Sequence, residues 1–143
     1  MLDIKGSIVT IDAMGTQKNI AETIIDNQAN YILALKGNQT YLKEDVENLC
    51  KQMKPDPENE IVEKGHGRIE TRNCKDYNQI QLLEDLEKWS DLKSVIQITS
   101  EREINGRKTK ETRFYISSLN DEARAFNKYI RMHWGVENSP KPT

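Results

Sequence analysis

Hydrophobic and polar positions change rhythm several times along this chain, and each rhythm predicts an element. Residues 7–12, SIVTID, hold an apolar run of Ile8, Val9 and Ile11 that predicts a strand. Over about 17–28 the apolar residues Ile20, Ala21, Ile24 and Ile25 fall on one helical stripe, with Thr16 placed to cap it. YILALKGN then gives a second short apolar run, stopped at Gly37. Strand, helix, strand with a helical crossover is the pattern of a parallel α/β unit. A second helix over about 40–53 carries Leu42, Val46, Leu49, Cys50 and Met53 on one face and ends at KPDPEN, whose prolines forbid continuation.

From 60 to 119 the rhythm becomes that of strands, interrupted by a short helix expected over about 79–89. IVEKGHGRIETRNCKDY reads as extended chain with glycines flanking His66. Asn105-Gly106, between two β-rich runs, predicts a two-residue hairpin with positive φ at both turn positions. Folding residues 94–104 onto 107–117 about that turn sets Glu103 opposite Lys108, Glu101 opposite Lys110 and Val95 opposite Ile116. A last helix starts with Asn120 or Asp121 as its cap and aligns Ala123, Phe126, Ile130, His133 and Trp134. Eleven residues after Phe126, Glu137 returns to within ~20° of the same stripe.

With 143 residues the chain suffices for one domain, divided into an α/β part (7–53), a β-rich part (60–119) and a C-terminal helix (120–139), with 54–60 linker-like. It has no apolar run near the ~20 residues of a membrane span and no signal-peptide pattern, so a soluble, cytosolic protein is expected. Cys50 and Cys74 lack the spacing of a zinc site and read as reduced thiols. A net charge of −2 gives no general reason to expect nucleic acid, yet Lys64, His66, Arg68 and Arg72 cluster, as do Arg102, Arg107, Lys108, Lys110 and Arg113. Solvated surface charge and phosphate contact both account for such patches.

Two carboxylates stand out. Asp12 ends an apolar strand, where it either caps the strand end or the next helix or serves a cation, because an unpartnered desolvated carboxylate is costly. Glu137 lies on a core-facing stripe, or in a frayed helix end beyond Gly135. Together they suit a hard-metal site for Mg²⁺ or Mn²⁺, although two-metal phosphoryl transfer generally needs a further carboxylate that these residues do not offer. His66 reads as a phosphate contact or a flexible turn. Arg68 and Arg72, four apart in extended chain, share a face and either clamp phosphates or pair with Glu63 or Glu70. Gly37, Asn38 and Gln39 look like a loop at the C-terminal end of a strand, and Trp134 reads as a packing residue.

IVTIDAMGTQKNIAETIIDNQANYILALKGNQ, EKGHGRIETR, ETRFYISSL and IRMHWGVENS, in this order over residues 5–139, together resemble the C-terminal part of the H-repeat-associated transposases, bacterial insertion-sequence enzymes with an Asp-Asp-Glu site. The resemblance implies a partial ribonuclease-H-like α/β fold with a β-rich insertion before the last catalytic helix. It implies that Asp12 is the second catalytic Asp and Glu137 the catalytic Glu, both holding metal, with two Mg²⁺ or Mn²⁺ ions in a complete site. It further implies DNA contact by His66, Arg68, Arg72, Arg131 and His133, transposon-end DNA as partner, a nucleoid-associated location, and admits self-association. Two departures accompany it: no counterpart of the first Asp, in its Asp-Gly-Lys context, occurs here, and SPKPT stands where the family continues apolar and aromatic. The expectation is therefore an inactive transposase fragment, with a non-catalytic DNA-binding or dimerising remnant, or a pseudogene product without function, as the alternatives.

Overall fold

Tyr31, Ile32, Leu33, Ala34 and Leu35 are all buried, with no alternation between wet and dry positions. A strand dry on both faces must lie inside a sheet covered on both sides, and the rest of the fold follows from that. The structure is a computed structural model that describes residues 5–11, 18–35, 40–55, 57–78, 80, 89 and 91–138, the side chains of 18, 40–42 and 133–138 excepted. Among these residues the order is β1 (Ile8–Ile11), α1 (Lys18–Asp26), β2 (Asn30–Ala34), α2 (Thr40–Gln52), β3 (Asn59–Gly65), β4 (Arg68–Tyr77), β5 (Ser94–Ile104), β6 (Arg107–Ser117) and α3 (Ala123–Asn138).

All the strands form one sheet in the order β1-β2-β6-β5-β4-β3. β1 and β2 are parallel, with Ile11 beside Leu33, as the strand–helix–strand pattern predicts. Every other neighbouring pair is antiparallel. The α/β class holds, and the β-rich stretch continues the same sheet through β2 and β6. On one face Ala21 and Ile24 of α1 and Val46 and Leu49 of α2 pack against Tyr31, Leu33, Val95 and Ile116. On the other, Ala123, Phe126 and Ile130 of α3 pack against Ile32, Ala34, Cys74, Ile96, Ile98 and Tyr115. Each fully buried Ile or Phe contributes roughly 1.5–3 kcal/mol, so these stripes fix which side of each helix faces the sheet.

β5 and β6 pair over 94–104 and 107–117 with Val95 opposite Ile116, Glu101 opposite Lys110 and Glu103 opposite Lys108, the register predicted from Asn105-Gly106. Both turn residues have positive φ, 52° at Asn105 and 78° at Gly106. β3 and β4 are joined by a second turn of the same kind, His66 at φ 51° and Gly67 at 75°. Here the sequence alone is open between turn and contact. The halves of β5 and β6 near their turn, and β3 with the start of β4, carry exposed or half-buried residues. They form a four-stranded arm continuous with the core.

Where the two halves of the sheet meet, buried serines fill the polar needs of the main chain. Ser117 Oγ donates to Tyr31 O at 2.7 Å, Ser118 Oγ accepts from Tyr31 N at 2.9 Å, and Ser94 Oγ donates to Leu119 O at 2.6 Å. The last helix starts slightly later than expected: Phe126 N donates to Glu122 O, so Glu122 occupies the cap position. Asp121 instead accepts from Glu122 N at 2.9 Å and from the Tyr129 hydroxyl at 3.4 Å. The expected cap Thr16, the loop at Gly37, Asn38 and Gln39, and nearly all of the short helix over 79–89 lie outside the described residues.

Candidate functional site

Strand register decides which charges face α3. Cys74, Ile98 and Tyr115 are in contact with α3, so residues of the same parity on their strands share that face. In the arm these include Arg68 and Arg72 of β4, Arg102 of β5, and Arg107 and Arg113 of β6. Lys64, Lys75, Lys108 and Lys110 have the opposite parity and face the other way. Two basic clusters that look mixed in the sequence are thereby sorted into an arginine face and a lysine face. Guanidinium, with its planar fork of donors, suits paired contact with phosphate oxygens better than ammonium does.

α3 brings a further arginine to this face. Its position is fixed by Asn127, fully buried, whose Nδ2 donates to Asn59 Oδ1 at 3.1 Å and to the main-chain oxygens of Asn59 and Arg72 at 3.4 Å each. One turn on, Arg131 forms an ion pair with Glu63 of β3. Between α3 and the arm runs a groove of about 430 Å³, lined by Ile61, Glu63, Arg72, Ser100, Arg113, Tyr115, Ile130 and Arg131 among others. Sequence reasoning misses Asn127 and reads Arg113 only as part of a basic patch. Asn127 interrupts an apolar stripe, a signal that could mark it, while the facing of Arg113 follows from the hairpin register alone.

Carboxylates balance most of these cations. Glu70 Oε1 is 3.0 Å from Arg102 Nη2 and 3.6 Å from Arg68 Nε, and Glu111 Oε1 lies 2.9 Å from Arg113 Nε. For Arg68 the ion-pair reading of the sequence is the one observed. Exposed pairs of this kind are worth ~0–1 kcal/mol and are easily exchanged for another anion. Arg72 differs: its Nη1 is buried without a hydrogen-bond partner. Burial chiefly pulls its pKa below the ordinary value; the neighbouring Arg131 charge adds to this, while Tyr115, Glu63 and Glu70 oppose it. Arg131 is shifted the other way, held protonated by its hydrogen bond to Glu63.

His66 is exposed at the tip of its turn, next to Arg68 at the start of β4. β1 ends at Ile11; Asp12, the residue after it, lies outside the described residues, as do the side chains of His133 and Glu137, although the α3 backbone continues to Asn138. Ile11 sits in a row with Leu33, Ile116 and Val95, whereas Arg131 reaches the row of Glu63, Glu70 and Arg102. From Val95 to Arg102 that is seven residues of β5, about 23 Å along the sheet. Among the described residues no group of three or more His, Cys, Asp or Glu side chains could hold a metal ion. Nor is any helix among them long and apolar enough to cross a membrane.

The sequence profile of the family described as "Transposase DDE domain" matches residues 1–141. Among similar proteins, "H repeat-associated putative transposase YhhI" of Escherichia coli is 40% identical over 152 aligned positions, covering 96% of this chain and 39% of that protein. "Putative transposase YncI" of Escherichia coli O157:H7 is 39% identical over 148, covering 97% and 38%. "Uncharacterized protein in dhlA 3'region" of Xanthobacter autotrophicus is 39% identical over 121, covering 82% and 41%. The chain spans about two fifths of the length of these relatives. No solved structure matches it.

Proposed function

We propose, from the premise that this chain belongs to the transposase DDE-domain family, that it is a fragment of a DNA-cutting catalytic domain that retains DNA contact without cleaving on its own. In this reading the α/β unit and α3 belong to a ribonuclease-H-like core, and the arm is the β-rich insertion. Asp12 follows the C-terminal end of a parallel strand, the end at which α/β sites gather, and Glu137 lies on the last helix. These two carboxylates are hard oxygen donors suited to Mg²⁺ or Mn²⁺, which would neutralise charge on a scissile phosphate. Two carboxylates fall short of the three in an Asp-Asp-Glu set, and loss of a ligand removes both charge and geometry, so these 143 residues alone are not expected to cut DNA.

The observation that carries the DNA reading is the sorting of arginines onto the α3 face of the arm. Arg68, Arg72, Arg102, Arg107 and Arg113, with Arg131 from α3, form a surface for backbone phosphates, with His66 at its tip and His133 farther along the helix.

Incubation with supercoiled DNA and Mn²⁺, alongside a salt titration of duplex binding, tests both parts. The expected result is no nicking together with binding that weakens steeply as salt rises. Nicking that disappears in Asp12→Ala would overturn the inactivity, and absence of duplex binding at low salt would overturn the DNA reading.

A further inference from the structure

Arg72 stands apart from the other cations of the groove. Arg68, Arg102, Arg113 and Arg131 each touch a carboxylate, whereas Nη1 of Arg72 is buried with no hydrogen-bond partner. The nearby acids are engaged elsewhere: Glu70 with Arg68 and Arg102, Glu63 with Arg131. Arg131 is also close enough for its charge to oppose that of Arg72, which Glu63 and Glu70 offset through space without giving Nη1 an acceptor. A buried charged donor without an acceptor is costly, and a second cation beside it raises the cost. Both costs fall when a doubly hydrogen-bonding anion enters, because the guanidinium fork matches two oxygens of one phosphate. The groove next to this side chain has about 430 Å³ of space, far too little for a duplex but enough for a phosphate and its water. Ser100, directly across from Arg72 on β5, and Tyr115 bring hydroxyl groups to the same wall.

We propose that this groove is a site for one phosphate-type oxyanion, anchored by Arg72 with Arg113 and Arg131 beside it. Resting on the DNA reading above, the occupant is a single backbone phosphate, held while the rest of the duplex lies over the arginine face. Arg113 and Arg131 turn from Glu111 and Glu63 to share the anion, so those two glutamates act as its placeholders.

The test uses the whole chain, with inorganic phosphate and a short duplex as separate probes, each at constant ionic strength set with chloride. Phosphate is read by its shift of the thermal midpoint, which follows from binding to the folded state alone. Wild type should be stabilised by phosphate, Arg72→Lys less so, and Arg72→Gln not at all. Duplex affinity should fall about tenfold in Arg72→Gln with a salt slope smaller by about one, and stay unchanged in Lys108→Gln on the opposite face. No phosphate effect on wild type overturns the site. Duplex binding indifferent to both Arg72 variants overturns it too and leaves the DNA reading standing. Phosphate binding that depends on Arg72, with no duplex binding, upholds the oxyanion site and overturns the DNA backbone as its source.

Discussion

Asn127 of α3 donates its side-chain amide to the main-chain oxygen of Arg72 in β4 at 3.4 Å, so the residue that fastens the last helix to the sheet also fixes the strand carrying the half-buried cation of the groove, whose Nη1 is buried. The same amide reaches Asn59. Removing it in Asn127→Ala should cost about 1–3 kcal/mol of stability, the usual cost of stranding buried polar partners. Asn127→Asp, equal in shape but without N–H donors, should lose at least as much. Urea unfolding of the two variants checks this, and unchanged midpoints would show that α3 is held by its apolar stripe alone.

The apolar stripe has its own test. Phe126 is fully buried between α3 and the sheet, whereas Met132 is 58% exposed. Phe126→Ala should cost about 3–5 kcal/mol, while Met132→Ala should stay within about 0.5 kcal/mol of wild type. Similar losses from both would mean that the helix is docked in another rotation.

Turn chemistry separates the two readings of His66. Gly106, at φ 78° with open space where an alanine methyl would sit, should lose about 1–2 kcal/mol when changed to Ala, all of it from backbone strain. At φ 51°, His66 should accept Asn, which tolerates the left-handed region, with little change in melting temperature. If duplex affinity also stays constant in His66→Asn, the imidazole is there for the turn. A several-fold drop in affinity without a drop in stability would mark it as a DNA contact.

Alkaline pH should weaken the fold. Burial pushes the Cys74 thiol from 9.0 up to about 12 and does the same for Cys50. A group whose folded pKa lies above its unfolded value binds more protons when folded, so its stabilisation is complete below the unfolded value. It then declines as pH rises toward the folded one. From about pH 9 upward the unfolding free energy should therefore fall, by at most ~1.4 kcal/mol per pH unit for Cys74. Measured between pH 8 and 10.5, Cys74→Ala should show a shallower decline; an equal slope would remove this thiol as the cause.

How much of this can be read from the sequence depends on whether the information is local. The β5–β6 register is legible because Asn105-Gly106 dictates the turn and the flanking charges and Val95–Ile116 agree with it. Helices α1 and α2 are legible through their stripes. His66-Gly67 carries the same positive-φ chemistry as Asn105-Gly106, but His adopts that region less commonly than Asn, so the signal is weaker. The pairing of β2 with β6 joins residues more than eighty apart and has no local signature. The groove inherits that difficulty: Arg72 and Arg131 meet only once β4 and α3 are docked, and no spacing between them announces it. Asp12 and Glu137 stand out by position on a strand and a stripe, yet their proposed meeting is a tertiary matter outside the described side chains.

Among the described residues, the main-chain ladder between the chain's first and second parts pairs Ile32 with Ser117, Leu33 with Ile116 and Ala34 with Tyr115, is continued by Leu35 N donating to Phe114 O and Ser118 N donating to Tyr31 O, and is tied off by the serine hydroxyls. Every other strand pairing stays within one part, where neighbours in space are neighbours in sequence. Loop closure over that long separation should make the joining of the two parts the slow step of folding. Deuterium should accordingly enter the Leu33 and Leu35 amides, which face β6, before those at the heart of the β4–β5 ladder, and a backbone cut between residues 54 and 58 should leave two fragments able to recombine.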